Sequence, residues 1–452
     1  MKSLLMAGIA LVGLATTTPA LAVDGGRLGD VRVAQPDGPT KGYVVLFSDR
    51  GGWKDRDEAA LDAMAKQGSV VVGVDLDTYL ANLLPMPRPG VHPCSELVGD
   101  VEGLSQKLQR SRIGDKYHFP ILAGVGAGGA LAQLILAGSP PNTIAGAATV
   151  DPDVLTPNGL TCSVSSTVIS SGTLFGSPPL KSNGFWTIGL TASASPLQRA
   201  AVEVDRKDAL PIDVHLDAPS DLAAALTQLI APHLDRLDLQ GLAALPLVPL
   251  PVQHPSRLMA VMLSGDGGWR DIDKTISEQL QRDGIPVVGF DSLRYFWHQK
   301  TPEQTAHDLA TAIRGYQAKW HAEKVALIGY SFGANVLPAT YNALPNDVKT
   351  DVDLVSLLGP EPKADWEIKI AGWFGAGPSD AAAPIAPELI KIPSPLVQCF
   401  YGEDEGDTSC PSLSSTKAEV IKTRGGHHFN GEYPAIAQDI VNGFQKRAGS
   451  AG

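Results

Sequence analysis

The sequence predicts an α/β protein in two tandem domains, each a mostly parallel sheet flanked by helices and related to the other by internal duplication. Three observations predict it. The chain's 452 residues exceed what one compact core organises and fit two domains of about 200 residues each. Short, continuously apolar runs alternate with amphipathic helical stretches, the pattern of parallel strands covered on both faces. Two stretches also repeat each other. Phe47-Ser48-Asp49-Arg50-Gly51-Gly52-Trp53 echoes Leu263-Ser264-Gly265-Asp266-Gly267-Gly268-Trp269, and at the same offset Gly68–Asp75 echoes Gly284–Asp291 and Tyr79 matches Tyr295. Further on, Ile121–Gly128 echoes Leu327–Ala334. A shared offset across separate blocks is the mark of a repeated unit.

In chain order, the first element is an export signal. Lys2, an apolar run from Leu4 to Leu14 and Pro19-Ala20-Leu21-Ala22 form a signal peptide over 1–22, cleaved after Ala22, too short for a membrane span. This addresses the chain for export. Domain one then runs over 23–244, and the Pro-rich, apolar stretch 245–255 reads as an extended linker. Domain two occupies 256–452. Its strands are predicted at Met259–Leu263, Pro286–Phe290, Val325–Ile328, Val352–Leu358, Leu396–Phe400 and Glu419–Lys422, with helices at Ile272–Arg282 and Glu303–Trp320.

Composition narrows the function. A net charge of −12 argues against a nucleic-acid partner, whose phosphates want a basic face. The four Cys lack zinc-module spacing, and export permits one bridge per half, Cys94–Cys162 and Cys399–Cys410. No metal or other cofactor is implied.

The chemistry lies in the second half. Lys324–Gly333 is a buried-type strand running into Gly329-Tyr330-Ser331-Phe332-Gly333, a G-x-S-x-G segment between strand and helix. That context is a nucleophile elbow, which presents the Ser331 hydroxyl at the carboxyl ends of the strands. A base should follow the last strand, and Gly425-Gly426-His427-His428-Phe429 supplies His427, with His428 as alternative. The acid should lie between them. Tyr401–Asp407 holds four carboxylates, of which Asp407 ranks first as triad acid, then Asp404 and Glu405. An oxyanion hole is expected from the backbone N–H of Phe332 and that of Asp266 or Gly267. Trp269, Asp271, Asp291 and Tyr295 are expected around the substrate pocket, with Tyr295-Phe296-Trp297 an aromatic wall or simply core. The first half has Gly126 where Ser331 stands and no Gly-Gly-His, so it reads as a degenerate, non-catalytic copy of an α/β-hydrolase-like unit.

Taken together, Leu263–Trp269, Gly329–Ala334, Tyr401–Asp404 and Gly425–Phe429 resemble the bacterial virulence protein VirJ/AcvB family, over most of 255–447. The two-domain, exported layout resembles the longer AcvB branch. The resemblance implies a periplasmic serine hydrolase of α/β-hydrolase fold that cleaves the aminoacyl ester of aminoacyl-phosphatidylglycerol, lysyl or alanyl, at the membrane surface. It also implies a link to type IV secretion components. An accessory or binding protein with little catalytic role, or a generic secreted carboxylesterase, is the alternative reading.

Overall fold

The computed structural model describes residues 21–83, 97–112, 116–140, 142–153, 183–207, 212–235, 241–369, 379 and 381–449. Cys94 and Cys162 lie outside them.

The first sheet contains β1 (Leu21–Asp24), β2 (Asp30–Ala34), β3 (Gly42–Phe47), β4 (Ser69–Val74), β5 (Pro120–Val125), β6 (Gly146–Val150), β7 (Phe185–Gly189) and β8 (Asp213–His215). Its order is β1-β2-β4-β3-β5-β6-β7-β8. From β4 to β8 all neighbours are parallel, while β2 runs antiparallel to β4 and to β1. The expected cleavage point after Ala22 falls within β1. Helices α1 (Asp55–Lys66), α2 (Leu76–Asn82), α3 (Leu97–Arg112), α4 (Gly126–Gly138), α5 (Pro196–Lys207) and α6 (Leu222–Ile230) connect these strands or follow them.

The second sheet contains β9 (Leu247–Leu250), β10 (Leu258–Leu263), β11 (Val287–Phe290), β12 (Lys324–Tyr330) and β13 (Val352–Leu358). After a short ribbon of β14 (Lys363–Ala364) and β15 (Ala383–Pro384) come β16 (Val397–Gly402) and β17 (Glu419–Thr423). The order β17-β16-β13-β12-β10-β11-β9 is parallel throughout except for β9. Set side by side with β3 on β10, the two sheets run in the same order, each with an antiparallel strand beside its second parallel strand; in the first sheet that antiparallel strand carries β1 on its outer side. Helices here are α7 (Asp271–Arg282), α8 (Ser292–Tyr295), α9 (Pro302–Trp320), α10 (Phe332–Ala343), α11 (Asn346–Lys349), α12 (Ala386–Leu389) and α13 (Tyr433–Gly449).

One expectation is corrected. Four residues of the stretch read as a linker form β9 and belong to the second sheet. The open edge of β11 would leave a row of unpaired N–H and C=O groups, and an antiparallel strand closes it. Pro249, opposite Val288, lacks an N–H and is tolerated because β9 is itself an edge.

The central strands explain their own composition. Every residue of β3, β4, β5, β6 and β13 is buried, as a parallel sheet covered on both faces requires. The repeated Gly-Gly-Trp block has a packing reason in both halves. The ring of Trp269 lies on Gly289 of β11, where an added Cβ would come within 2.5 Å of it, and Trp53 lies on Gly73 of β4 in the same way, at 2.3 Å. Each tryptophan pins the loop after the first parallel strand onto the neighbouring strand.

Two stability tests follow. Gly289→Ala should displace Trp269 and destabilise the protein by about 1–3 kcal/mol in urea unfolding. Cys399 and Cys410 form a disulfide closing a separation of 11 residues. Replacing both by Ser should lower stability by about 2–3 kcal/mol, read from the same urea midpoints.

Candidate active site

The site is built where β12 turns into α10. Ser331 sits at φ 52° and ψ −115°, a backbone conformation that costs a non-glycine residue about 1–3 kcal/mol. Its surroundings impose that conformation. A Cβ on Gly329 would lie 2.6 Å from the Gly333 carbonyl oxygen, and one on Gly333 would lie 2.3 Å from that of Leu263. Both glycines are therefore required by close backbone approach, and the serine between them is thrust out of the strand.

His427 meets this hydroxyl. Its Nε2 is 2.9 Å from Ser331 Oγ and its Nδ1 is 2.6 Å from Glu405 Oε1. Gly359, after β13, makes room for the imidazole, since a Cβ there would lie 2.9 Å from the ring and 3.1 Å from Glu405 Oε1. His428 is directed elsewhere, with Nδ1 3.0 Å from the Tyr330 hydroxyl. The structure thus separates the two histidines that the sequence left as alternatives.

The acid is a correction. Asp407, ranked first, is exposed, as is Asp404, while the Glu405 side chain is 8% exposed and contacts His427. The cause is a tight turn at the end of β16. The Glu405 N–H donates to Gly402 O at 3.1 Å, and the Gly402 N–H donates back to Glu405 Oε2 at 3.1 Å. Glu403 and Asp404 donate their N–H groups to Thr423 O and Gly425 O, which leaves their side chains in solvent.

Burial by itself would lower the His427 pKa, but the Glu405 hydrogen bond and charge, with Glu361 and Asp266 behind it, outweigh burial and raise it above its ordinary 6.5. Glu361 was not anticipated. It shares a reciprocal pair with Asn335 of α10: Asn335 Nδ2 donates to Glu361 Oε2 at 3.0 Å, and the Glu361 N–H donates to Asn335 Oδ1 at 2.8 Å. Burial pushes the Glu361 carboxyl up, and Asp407 and Asp266 push it further, against the pull of Asn335 and His427. The sequence signal was a Gly-Pro-Glu segment directly after a central strand.

The loop after β10 faces the nucleophile. An added Cβ on Gly265 would fall 3.7 Å from Ser331 Cβ. Its N–H faces the buried Asp273 carboxyl, and its carbonyl accepts from Gly268 N–H at 3.1 Å. Gly267 faces open space. The first domain shows what such a loop can hold. There Gly126 has φ 56° at the elbow position, and Asp49 Oδ1 accepts both the Arg50 N–H at 2.8 Å and the Ala127 N–H at 3.1 Å. These are the counterparts of the Asp266 and Phe332 N–H groups, so two converging backbone donors at this place grip one oxygen.

Three expected pocket residues are instead structural. Trp269 is 2% exposed, on Gly289. Buried Asp291 caps α8 by accepting the Arg294 N–H at 3.2 Å. Tyr295 is buried and donates to Asp308 Oδ2 at 2.6 Å. Asp271 is exposed in the first turn of α7, where a carboxylate suits the helix dipole. A cavity of about 280 Å³ opens at the seam between the domains, among Lys116, Asp235, Arg294, Tyr295, Lys300 and Asp308. Ser331 does not line it.

A parallel sheet, a strained serine at a strand–helix elbow and a histidine–carboxylate chain after the later strands define an α/β-hydrolase-type protein with the geometry of a serine hydrolase. Residues 257–448 match the family model described as bacterial virulence protein (VirJ), as the resemblance read from the motifs implied. No curated protein matches the chain. Among solved structures, the chain is similar to Est1E from Butyrivibrio proteoclasticus with bound ferulic acid, at 8% identity and a TM-score of 0.33 over 45% of this chain and 96% of that one. It is also similar to a soluble variant of monoglyceride lipase from Saccharomyces cerevisiae, at 12% identity and a TM-score of 0.31 over 44% and 91%.

A pH profile tests the histidine–carboxylate pairing. A general base must be neutral, so kcat/KM should fall with acidification through a pKa above 6.5. In Glu405→Gln the raising influence of that carboxylate is gone and burial remains, so the acidic limb should move to lower pH. The activity at the optimum should drop by about 10⁴-fold, because the imidazole loses its orienting partner. An unmoved limb in Glu405→Gln, or a comparable loss in Asp407→Asn, would contradict the pairing.

Proposed function

We propose that this chain is an exported, periplasmic serine ester hydrolase that cleaves the aminoacyl ester of aminoacyl-phosphatidylglycerol, releasing the amino acid and phosphatidylglycerol. The observation that carries the reading is the hydrogen-bonded chain from Ser331 through His427 to Glu405 on the elbow. In this mechanism His427 takes the Ser331 proton as Oγ attacks the ester carbonyl. The N–H groups of Phe332 and Asp266 receive the developing oxyanion, as their counterparts receive Asp49 Oδ1 in the first domain. The imidazolium, steadied by Glu405, returns the proton to the departing glycerol oxygen. Water then attacks the aminoacyl-serine by the same route.

The substrate class is supported by the family match and by charge. Glu361, Asp266 and Asp407 surround the site with negative potential, which favours an acyl group carrying ammonium charge. The signal-like N-terminus supports the address. We further infer that domain one arose by internal duplication and lost its chemistry, since it shares the strand order but carries Gly126 at the elbow.

Incubation with lysyl-phosphatidylglycerol vesicles tests the reading. Wild type should release lysine, and Ser331→Ala should lose about 10⁵–10⁶-fold in kcat. A fluorophosphonate probe should label wild type at Ser331. Unchanged lysine release by Ser331→Ala would sink the assignment of the nucleophile. Cleavage of simple esters without lysine release would instead favour a carboxylesterase of other specificity, and absence of both labelling and turnover would favour an accessory role.

A further inference from the structure

We propose that the first domain is a built-in positioning device for the second domain's active site, gripping the oxyanion loop and the aromatic layer behind the nucleophile. The proposal rests on the reading of Ser331 as nucleophile.

The first grip is on the loop itself. After the Gly265–Gly268 turn come Trp269 and Arg270, the residues that join the turn to α7. Both are held from domain one. Asn142 Nδ2 donates to the Trp269 carbonyl at 3.0 Å. Glu102 of α3 pairs with the Arg270 guanidinium, the two side chains being 15% and 27% exposed, and Gln106 Nε2 braces Glu102 at 3.2 Å. A well-shielded, hydrogen-bonded pair of this kind resists displacement far more than a solvated one.

The second grip is on the aromatic layer. Arg110 of α3 donates to the carbonyls of Trp297 and Ile368, lies 3.2 Å from Glu367 and stacks 4.0 Å above the Trp297 ring. Tyr117 packs on the same ring at 4.7 Å. This reaches the chemistry in two steps. The Ile368 N–H donates to Phe296 O at 2.8 Å, and the Phe296 ring lies 5.0 Å from that of Phe332, whose N–H is the second oxyanion donor. Both donors of the proposed hole are thereby backed by domain one.

Domain one itself is fitted to this task rather than to chemistry. Its own pair of donors is satisfied by Asp49, and a side chain at Gly126 would meet Asp49 Oδ1 at 2.4 Å. Glu102, Asn142 and Arg110 are positioning residues, since none of them touches the reacting atoms.

The test uses the full chain with lysyl-phosphatidylglycerol and, in parallel, the rate of fluorophosphonate labelling at Ser331. Glu102→Gln and Asn142→Ala should each lower kcat and the labelling rate about ten- to a hundred-fold, the scale expected for a misplaced donor, while KM changes less than about two-fold. The charge-reversed double variant Glu102→Arg/Arg270→Glu should recover most of what either single reversal loses. Thermal denaturation of each variant verifies folding. If Glu102→Gln does not fold, Asn142→Ala, which removes a single hydrogen bond, carries the test. Wild-type kcat and labelling in a folded Asn142→Ala and Glu102→Gln overturn the positioning role, whereas activity persisting in Ser331→Ala overturns the nucleophile reading instead.

Discussion

Everything at the site depends on how closely β10 approaches the start of α10. The Leu263 carbonyl comes so near Gly333 that no side chain fits there, and the Gly333 backbone likewise excludes one from Gly329. With both flanks pressed against backbone, Ser331 between them takes a positive φ. The strain is small beside the burial of the strands that enforce it, because each buried Val, Leu or Ile contributes about 1.5–3 kcal/mol and β12 and β13 together bury eight such residues. The packed sheet thus fixes the direction of one hydroxyl, and the histidine and glutamate are placed relative to it by the ends of later strands.

The same constraint explains why parts of the site were legible in the sequence and others were not. Ser331 and His427 stand in local patterns, a strand followed by G-x-S-x-G and a Gly-Gly-His after the last strand, whose meaning does not depend on distant residues. The choice of acid does depend on them. Glu405 rather than Asp407 reaches the imidazole because Glu403 and Asp404 are tied to Thr423 O and Gly425 O on a neighbouring strand and loop. No spacing rule in the acidic segment records that cross-link. Likewise Gly359 and Glu361 come to the site from the end of β13, nearly thirty positions beyond the serine, with only a Gly-Pro to mark the turn.

At the level of the fold, apolar runs located the parallel strands of the second half to within a few residues, since burial on both faces leaves an unbroken signature. Edge pairing leaves a weaker one. Leu247–Leu250 carries a proline, Pro249, that argues against a strand anywhere but at an edge, and only the exposed flank of β11 makes the segment a strand at all. Trp269 was misread for a related reason. An aromatic residue in a loop near a nucleophile invites a substrate role, whereas its ring is consumed by the space over Gly289.

The first domain shows what happens when this architecture keeps its shape without its nucleophile. Two backbone N–H groups converging at a helix start would be costly to leave buried and unpaired. Asp49 supplies one oxygen that pairs them both, and the steric demand of its carboxylate leaves position 126 to glycine. In the second domain the residue at the Asp49 position is Gly265, which has no side chain to offer. A single difference in the loop thus separates an elbow filled by its own carboxylate from one that has no carboxylate at that position.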